Sequence, residues 1–527
     1  MRPRLPNVRT TRPALVIGLL ALAGPVLYLA RSWASGPPGF PLDDAWIHQT
    51  YARNLAEAGQ WAFVPGQPSA GSTAPLWTVL LAVGYALGAP FRAWAYALGS
   101  LCLLVMALLA ARLARQLFWD GAAPRTGRPA VVEVAVGLAC ACEWHLVWAA
   151  VSGMETLLFA LLALALWERV VSDPTRRPWL TGLLGGALIL TRPEGALAVG
   201  AAMLGVVLAG GAERPWPRRL AAGVFLAASC AVVVAPYLLL NYHLSGTLWP
   251  NTFYAKQAEY AVLLTQPLAV RLWRVGTAPL VGGQVLLLPG LAWGARQAVC
   301  DGWRYLRSGR SAAERGREGV APVSRWLPLA WAAVTILVYA LRLPVTYQHG
   351  RYLIPIIPIL IVYGLWGALR LGGWMHGRSL LVRVWFLSTA VLLLAFWLLG
   401  AGAYSTDVAI IEGEMVAVAR WLDAHVAPDA LVAAHDIGAL GYFARCPLLD
   451  LAGLVSPEVI PFIRDQERLL QWLAEQEADY LVTFPSWYPL LIADPRLEEV
   501  YRTDAAVTVA QGGENMAVYA LRWDRTR

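Results

Sequence analysis

Two adjacent carboxylates, Asp43 and Asp44, stand directly after the first apolar run of the chain, where an amphipathic helical pattern begins. If a helix starts near Asp43, Asp44 and His48 lie four residues apart and share one face. Charges held beside lipid are costly and tend to be used. A neighbouring pair of acids therefore suggests proton transfer with a substrate group, or the holding of a cation. A divalent cation at Asp43 and Asp44 is compatible with the pattern but not demanded by it. The structural alternative for Asp43 is that it caps the helix N-terminus, a common role for Asp.

Further polar residues interrupt the later apolar runs. Ser152-Gly153-Met154-Glu155-Thr156 places Glu155 at a glycine-containing break, and Glu143 and His145 sit inside the same apolar stretch, as a functional pair or as each other's partner. Thr191-Arg192-Pro193-Glu194-Gly195 forms a tight connection. Its Arg192 and Glu194 are candidates for binding, or else an internal ion pair of Arg192 with Glu194 or Glu155. Lys256, in Asn251-Thr252-Phe253-Tyr254-Ala255-Lys256, is the only lysine of the chain; the other 41 basic residues are arginine. A compact ammonium kept in so arginine-rich a sequence suits a phosphate. Tyr347-Gln348-His349-Gly350-Arg351-Tyr352 adds a guanidinium that can grip a phosphate in bidentate fashion or snorkel to headgroups.

These residues need a scaffold, and composition says which. Apolar residues make up 58% of the 527 and charged residues 14%, and many apolar runs approach the ~20 residues that cross a bilayer. The chain reads as an α-helical polytopic membrane protein with about eleven transmembrane helices, over 14–30, 93–117, 130–150, 156–171, 179–191, 195–211, 220–240, 277–296, 326–341, 353–369 and 384–401. The net charge of +8 resides in short arginine-bearing loops, a topology signal rather than a nucleic-acid face. With the N-terminus inside, the cytoplasmic segments collect more than half of the 42 basic residues, the largest cluster lying between Arg296 and Arg325. Residues 74–90 are apolar but carry Pro75, Gly84, Gly88 and Pro90. Laying them along the outer interface preserves the arginine asymmetry and makes 31–92 a large outer loop.

The N-terminus, with four arginines before the first apolar run, reads as an uncleaved signal anchor in a plasma (inner) membrane. Six scattered cysteines give neither a disulfide framework nor a CxxC metal pair. Residues 1–402 form the transmembrane module. Residues 403–527 are more charged and show soluble α/β periodicity, with a helix over Glu412–His425, strands at Ala430–Ala434, Leu448–Leu451 and Tyr480–Phe484, and a helix over Glu467–Gln476. Span parity places this second domain outside the cell.

Taken in order, several segments resemble the GT-C class of polyprenyl-phosphate-dependent glycosyltransferases, and within it the bacterial branch with the mycobacterial terminal arabinofuranosyltransferases. They are Asp43-Asp44-Ala45-Trp46-Ile47, Tyr51-Ala52-Arg53-Asn54-Leu55, Gly71-Ser72-Thr73-Ala74-Pro75-Leu76-Trp77, Gly153-Met154-Glu155-Thr156, Arg192-Pro193-Glu194-Gly195, Asn251-Thr252-Phe253-Tyr254-Ala255-Lys256 and Gly350-Arg351-Tyr352-Leu353. Asp436-Ile437-Gly438-Ala439-Leu440-Gly441-Tyr442 and Asp450-Leu451-Ala452-Gly453-Leu454 extend the likeness into the C-terminal segment. Ala74 departs from the Asn or Ser expected before Pro-Leu-Trp.

The resemblance implies inverting transfer from a polyprenyl-phosphate sugar, with an outer-loop aspartate as base, and does not by itself fix the sugar. The expected function is transfer of an arabinofuranose- or mannose-like sugar to a cell-envelope glycan, lipid or protein acceptor, with no cofactor required. Asp43 is then the base, with Asp44 orienting it or holding a cation. Lys256 and Arg351, with Arg192, hold the lipid phosphate, and Glu155 binds sugar or acceptor hydroxyls. His48, Glu194, Asn251, Tyr254, His349 and Tyr352 complete the expected substrate site. Two other classes make different demands. A lipid-linked-sugar flippase or transporter calls for polar residues on both faces and two related halves, and the sequence has neither. A membrane protein that only binds glycans through its outer domain does not need Asp43, Asp44 and Lys256 on the membrane side.

Overall fold

The computed structural model of the chain describes residues 8–118, 129–173, 175–208, 215–308, 325–375 and 379–523. Residues 1–7 and the connecting stretches 119–128, 209–214 and 309–324, which carry many of the arginines behind the sequence-based sidedness, lie outside the described residues.

Each of the eleven apolar stretches holds a helix, but the helices differ in reach. Five are long and apolar enough to cross a bilayer: Pro13–Trp33, Phe91–Leu117, Trp216–Ser245, Tyr347–Trp374 and the run Ser379–His425. Two more spans arise if bent pairs are joined, Val131–Cys142 with Trp144–Ala150 at 56° and Leu268–Leu280 with Gly283–Arg304 at 104°. Pro178–Thr191 and Leu327–Arg342 have 14 and 16 residues. At ~1.5 Å per residue they reach ~21–24 Å, short of a hydrocarbon core of ~30 Å. By length and composition, the described residues hold five to seven candidate spans, so the count of eleven remains an expectation from the apolar runs. The span expected over 277–296 contains a sharp break, because Pro279 and Gly282 interrupt it and Gly282 adopts a φ of 134°, open chiefly to glycine.

The segment at 74–90 contains a 12-residue helix, Pro75–Ala86, that packs along the helix Asp43–Ala58. At ~18 Å it is too short to cross a bilayer alone. Trp77 donates its indole N–H to the Gly153 carbonyl at 2.8 Å, and Tyr85 donates to Gln49 Oε1 at 2.8 Å. Between the two helices lies a short hairpin, β1 (Ala62–Val64) and β2 (Gln67–Pro68).

Beyond residue 430 the chain builds a five-stranded sheet in the order β4-β3-β5-β7-β6. The strands are β3 (Val432–Ala434), β4 (Leu448–Asp450), β5 (Tyr480–Thr483), β6 (Leu497–Arg502) and β7 (Ala517–Leu521). The first three are parallel and the last two antiparallel. Alternation decides what each face does. Val432, Ala434, Val482 and Val518 join the core shared with the membrane helices, while Ala433, Leu481 and Tyr519 face a separate core with Leu469, Trp472 and Leu473. The long helix Ser379–Ile411 does not stop before the sheet; it continues through a π-helical turn, Glu412–Val416, into Ala417–His425. Glu414 in that turn is fully buried and accepts hydrogen bonds from Thr503 Oγ1, from Asn515 Nδ2 at 2.9 Å and from Met516 N at 2.8 Å. Membrane helix and sheet are therefore tied by a buried carboxylate as well as by apolar contact.

Candidate active site

Helix ends bring the chemistry together. Asp43 and Asp44 occupy the first turn of Asp43–Ala58, Glu155 precedes Thr156–Ser172, and Arg192 ends Pro178–Thr191. Lys256 lies on Asn251–Glu259, which follows the long helix Trp216–Ser245. Arg351 follows a turn in which Gln348 and His349 have φ of 52° and 59°. Every one of these breaks contains or adjoins Pro or Gly, which is why apolar helices stop there.

Asp44 is the hub. Its Oδ2 accepts a hydrogen bond from Lys256 Nζ at 3.2 Å and another from Arg351 Nη2. Tyr352 Oη lies 3.2 Å from Lys256 Nζ and 3.1 Å from Arg351 Nη2. Burial alone would raise the Asp44 carboxyl; the Arg351 and Lys256 charges outweigh it and hold the group ionised, well below the usual carboxylate range. The same pairing holds the Lys256 ammonium above its ordinary range against the effect of burial. Arg351 is only 3% exposed, yet its Nε and Nη1 have no hydrogen-bond partner among the described residues. A buried cation with unused donors is costly unless an anion completes it.

Asp43 has the opposite surroundings. It is 8% exposed, and its two oxygens accept from the backbone N–H of Gly438 at 2.6 Å and of Ala439 at 2.8 Å. Burial, then the nearby Asp436 charge, raises the carboxyl to about 8 in spite of these two donors. The N-cap alternative does not describe it: the capping position is Leu42 and Asp43 lies inside the helix.

Two cavities meet at this pair. One of about 460 Å³ is lined by Asp44, His48, Glu155, Arg192, Lys256 and Arg351 together with apolar side chains such as Phe253, Val338 and Leu343. The other, of about 790 Å³, opens between the helices and the sheet domain, and its walls include Asp43, Asp44, Lys256, Glu259, His435 and Trp487. Asp44, Lys256 and Arg351 line both.

The remaining expected residues divide. His48 Nε2 lies 3.2 Å from Glu155 Oε2, and Arg192 Nη1 lies 3.8 Å from Glu155 Oε1. Burial opposes ionisation of Glu155, but His48 and Arg192 hold it down to about 2. Glu194 pairs with Arg192 at 3.4 Å and accepts from Tyr339 Oη. The internal ion pairs seen as an alternative for Arg192 thus form, within the smaller cavity. Asn251 lines neither cavity; its amide donates to the Leu454 carbonyl at 3.3 Å and its backbone N–H to Ala70 at 2.9 Å, so it holds chain segments together. Tyr254 lines neither cavity, and His349 is turned to Asp407 at 2.8 Å between Trp144 and Trp148. Glu143 and His145 bond each other at 2.7 Å, with Gln284 donating to Glu143 at 2.9 Å.

Some contributors carry no signal in the sequence. Glu259 and His435, 3.1 Å apart, come from segments 176 residues distant. Gly438 and Ala439 act through their N–H groups, which every non-proline residue has. Only their place in Asp436-Ile437-Gly438-Ala439 hinted at them. Among the described residues no group of three or more His, Cys, Asp or Glu side chains converges as metal ligands. Asp44 faces two cations and Asp43 two N–H groups, so the pair offers a cation little of its ligand shell.

Comparison with known proteins adds the fold. A domain of unknown function, DUF8728, matches residues 406–519. A terminal beta-(1->2)-arabinofuranosyltransferase of Mycobacterium tuberculosis is 32% identical over 238 residues, which cover 43% of this chain and 36% of that protein. The chain thus matches little more than a third of the length of this curated relative. The crystal structure of ArnT from Cupriavidus metallidurans, bound to undecaprenyl phosphate, superposes with a TM-score of 0.57 at 16% identity, covering 95% of this chain and 97% of ArnT. The oligosaccharyltransferase AglB from Archaeoglobus fulgidus, in complex with an inhibitory peptide and a dolichol-phosphate, superposes with a TM-score of 0.57 at 12% identity, over 91% of this chain and 70% of AglB. The chain thus shares the fold of ArnT and AglB, and its helices make it a multi-pass membrane protein.

Proposed function

We propose that this protein is an inverting membrane glycosyltransferase that uses a polyprenyl-phosphate sugar as donor. The observation that carries this reading is the buried Arg351, with two unpartnered donor atoms beside Lys256, at the junction of an apolar cavity and a polar one. A lipid phosphate has the complementary chemistry: its chain fits the apolar walls and its oxygens the guanidinium fork and the ammonium. The arabinofuranosyltransferase relative and the undecaprenyl-phosphate and dolichol-phosphate complexes of ArnT and AglB support it.

In the reaction, an acceptor hydroxyl attacks the anomeric carbon from the face opposite the phosphate. The new C–O bond forms as the bond to phosphate breaks, its electron pair leaving with the polyprenyl phosphate. Asp43 takes the hydroxyl proton, and a base whose pKa lies near the working pH suits that role. Lys256 and Arg351 stabilise the departing phosphate. Asp44 is their counter-charge and keeps them in place, while Glu155, held by His48 and Arg192, accepts from sugar hydroxyls. The donor sugar is arabinofuranose- or mannose-like and the acceptor a cell-envelope glycan, lipid or protein. The reaction takes place on the outer face of the inner membrane, where residues 31–92 and 403–527 both lie.

The test of activity is transfer by purified protein from a panel of polyprenyl-phosphate sugars, with release of polyprenyl phosphate. No release from any arabinofuranosyl or mannosyl donor would reject the reading. Sidedness is tested by single cysteines at the exposed Gln67 and Gln511 in a cysteine-free background. An impermeant reagent should label both in intact spheroplasts, and protection of Gln511→Cys would place the sheet domain inside.

A further inference from the structure

Asp43 is 395 residues from the group that fixes it, and that group belongs to the sheet domain. Both carboxylate oxygens are engaged by successive N–H groups, Gly438 and Ala439, so the carboxylate is held in plane as well as in place. The approach is close: a Cβ at position 438 would lie 2.7 Å from Asp43 Oδ2 and nearer still to the Asp43 carbonyl. Glycine is the residue that lets the two backbones meet. The rest of the helix Asp43–Ala58 docks on the same element. Trp46 is fully buried, with its ring 4.7 Å from Phe443 and 5.1 Å from Tyr442. Arg53 donates to the Tyr442 carbonyl at 2.9 Å and to Gly441 at 3.3 Å, and its guanidinium stacks 4.6 Å from the Tyr442 ring.

We infer that the sheet domain is a working part of the catalytic site, its Gly438 and Ala439 N–H groups being positioning groups that aim the Asp43 carboxylate at the acceptor hydroxyl. This rests on Asp43 as the base. With both donors in place, one lone pair on each oxygen is used by the backbone and the carboxylate cannot rotate away from the cavity it lines. Base catalysis depends on such alignment, and a displacement of ~1 Å can cost ~10²-fold in rate. The domain would otherwise be expected to matter only for acceptor binding or stability.

The experiment uses the full chain in detergent, polyprenyl-phosphoryl arabinofuranose as donor probe and undecaprenyl phosphate as binding probe. Ala439→Pro removes one N–H in the first turn of a helix, where proline is tolerated, and Ala439→Gly keeps it. Gly438→Ala forces the backbones apart. Arg53→Ala weakens the same docking surface without touching Asp43. The single-turnover rate should fall ~10–100-fold in Ala439→Pro and Gly438→Ala, with undecaprenyl-phosphate affinity and acceptor KM unchanged, and stay within about twofold in Ala439→Gly and Arg53→Ala. Equal losses of rate and binding in Ala439→Pro and Arg53→Ala would assign the contact to domain stability and overturn the inference. Wild-type rates in Ala439→Pro and Gly438→Ala, with Asp43→Asn inactive, would overturn the positioning role alone. Full activity of Asp43→Asn would remove the base assignment on which it rests.

Discussion

Asp43 and Asp44 are neighbours in sequence, yet they belong to two different regions. Asp44 points to the side where helix ends converge, and there it meets Lys256 and Arg351. Asp43 points to the sheet domain, where it meets two N–H groups and the like charge of Asp436. Two carboxylates of the same type therefore end with proton affinities on opposite sides of neutrality. The proposed donor side is charged and compensated, suited to binding an anion in the ground state. The proposed acceptor side is buried and undercompensated, suited to taking a proton. The difference shows how adjacent residues at a helix start come to face opposite surroundings, since successive side chains on a helix point ~100° apart.

The comparison breaks most sharply at the base. Asp43→Asn should lower the single-turnover rate ~10²–10⁴-fold while leaving undecaprenyl-phosphate affinity within about twofold, because the amide keeps the shape but cannot take the proton. A retained rate would move the base elsewhere.

The donor side should answer in affinity. Lys256→Ala removes a charge-assisted contact worth ~1.5–3 kcal/mol, on the order of ten- to a hundredfold in undecaprenyl-phosphate affinity as well as a lower rate. Lys256→Arg should restore part of it, since a planar fork replaces a compact ammonium. Unchanged affinity in Lys256→Ala would leave the lone lysine as the counter-ion of Asp44 and nothing more.

The smallest effect sharpens the contrast through pH. As the proposed base, Asp43 acts when ionised, so the transfer rate should rise with pH through about 8. Asp436 raises that value by repulsion. Asp436→Asn should therefore move the acidic limb of the rate profile to lower pH, while Glu155→Gln, on the donor side, should leave its position unchanged. An immobile limb in Asp436→Asn would mean that the titrating group is not Asp43.

Much of the candidate site is legible in the sequence. The acidic pair, Glu155, Arg192, Lys256 and Arg351 stood out because ionisable residues at breaks between apolar runs are expensive to keep, and the structure brings these six side chains to the two adjoining cavities. The strands at 432–434, 448–450 and 480–483 were visible as short apolar runs, and β6 and β7 were not. β6 is largely exposed and reads Leu-Glu-Glu-Val-Tyr-Arg, so it lacks an apolar face of its own. Asn251 and Tyr254 shared a motif with Lys256 but not its direction, since neighbouring residues on a helix face different partners.

The sequence by itself determined the class of the molecule and the identity of its polar residues, because hydropathy and charge placement are properties of residue type and spacing. The reach of the helices was a tertiary matter: the bend of 104° at Gly282 and the short helix Pro178–Thr191 depend on backbone geometry that composition does not encode. So was the difference in surroundings between Asp43 and Asp44. It rests on groups more than 200 residues away in the chain: Lys256 and Arg351 reach Asp44 where helix ends converge, and the N–H groups of Gly438 and Ala439 reach Asp43 where the sheet domain docks on the helix that starts there.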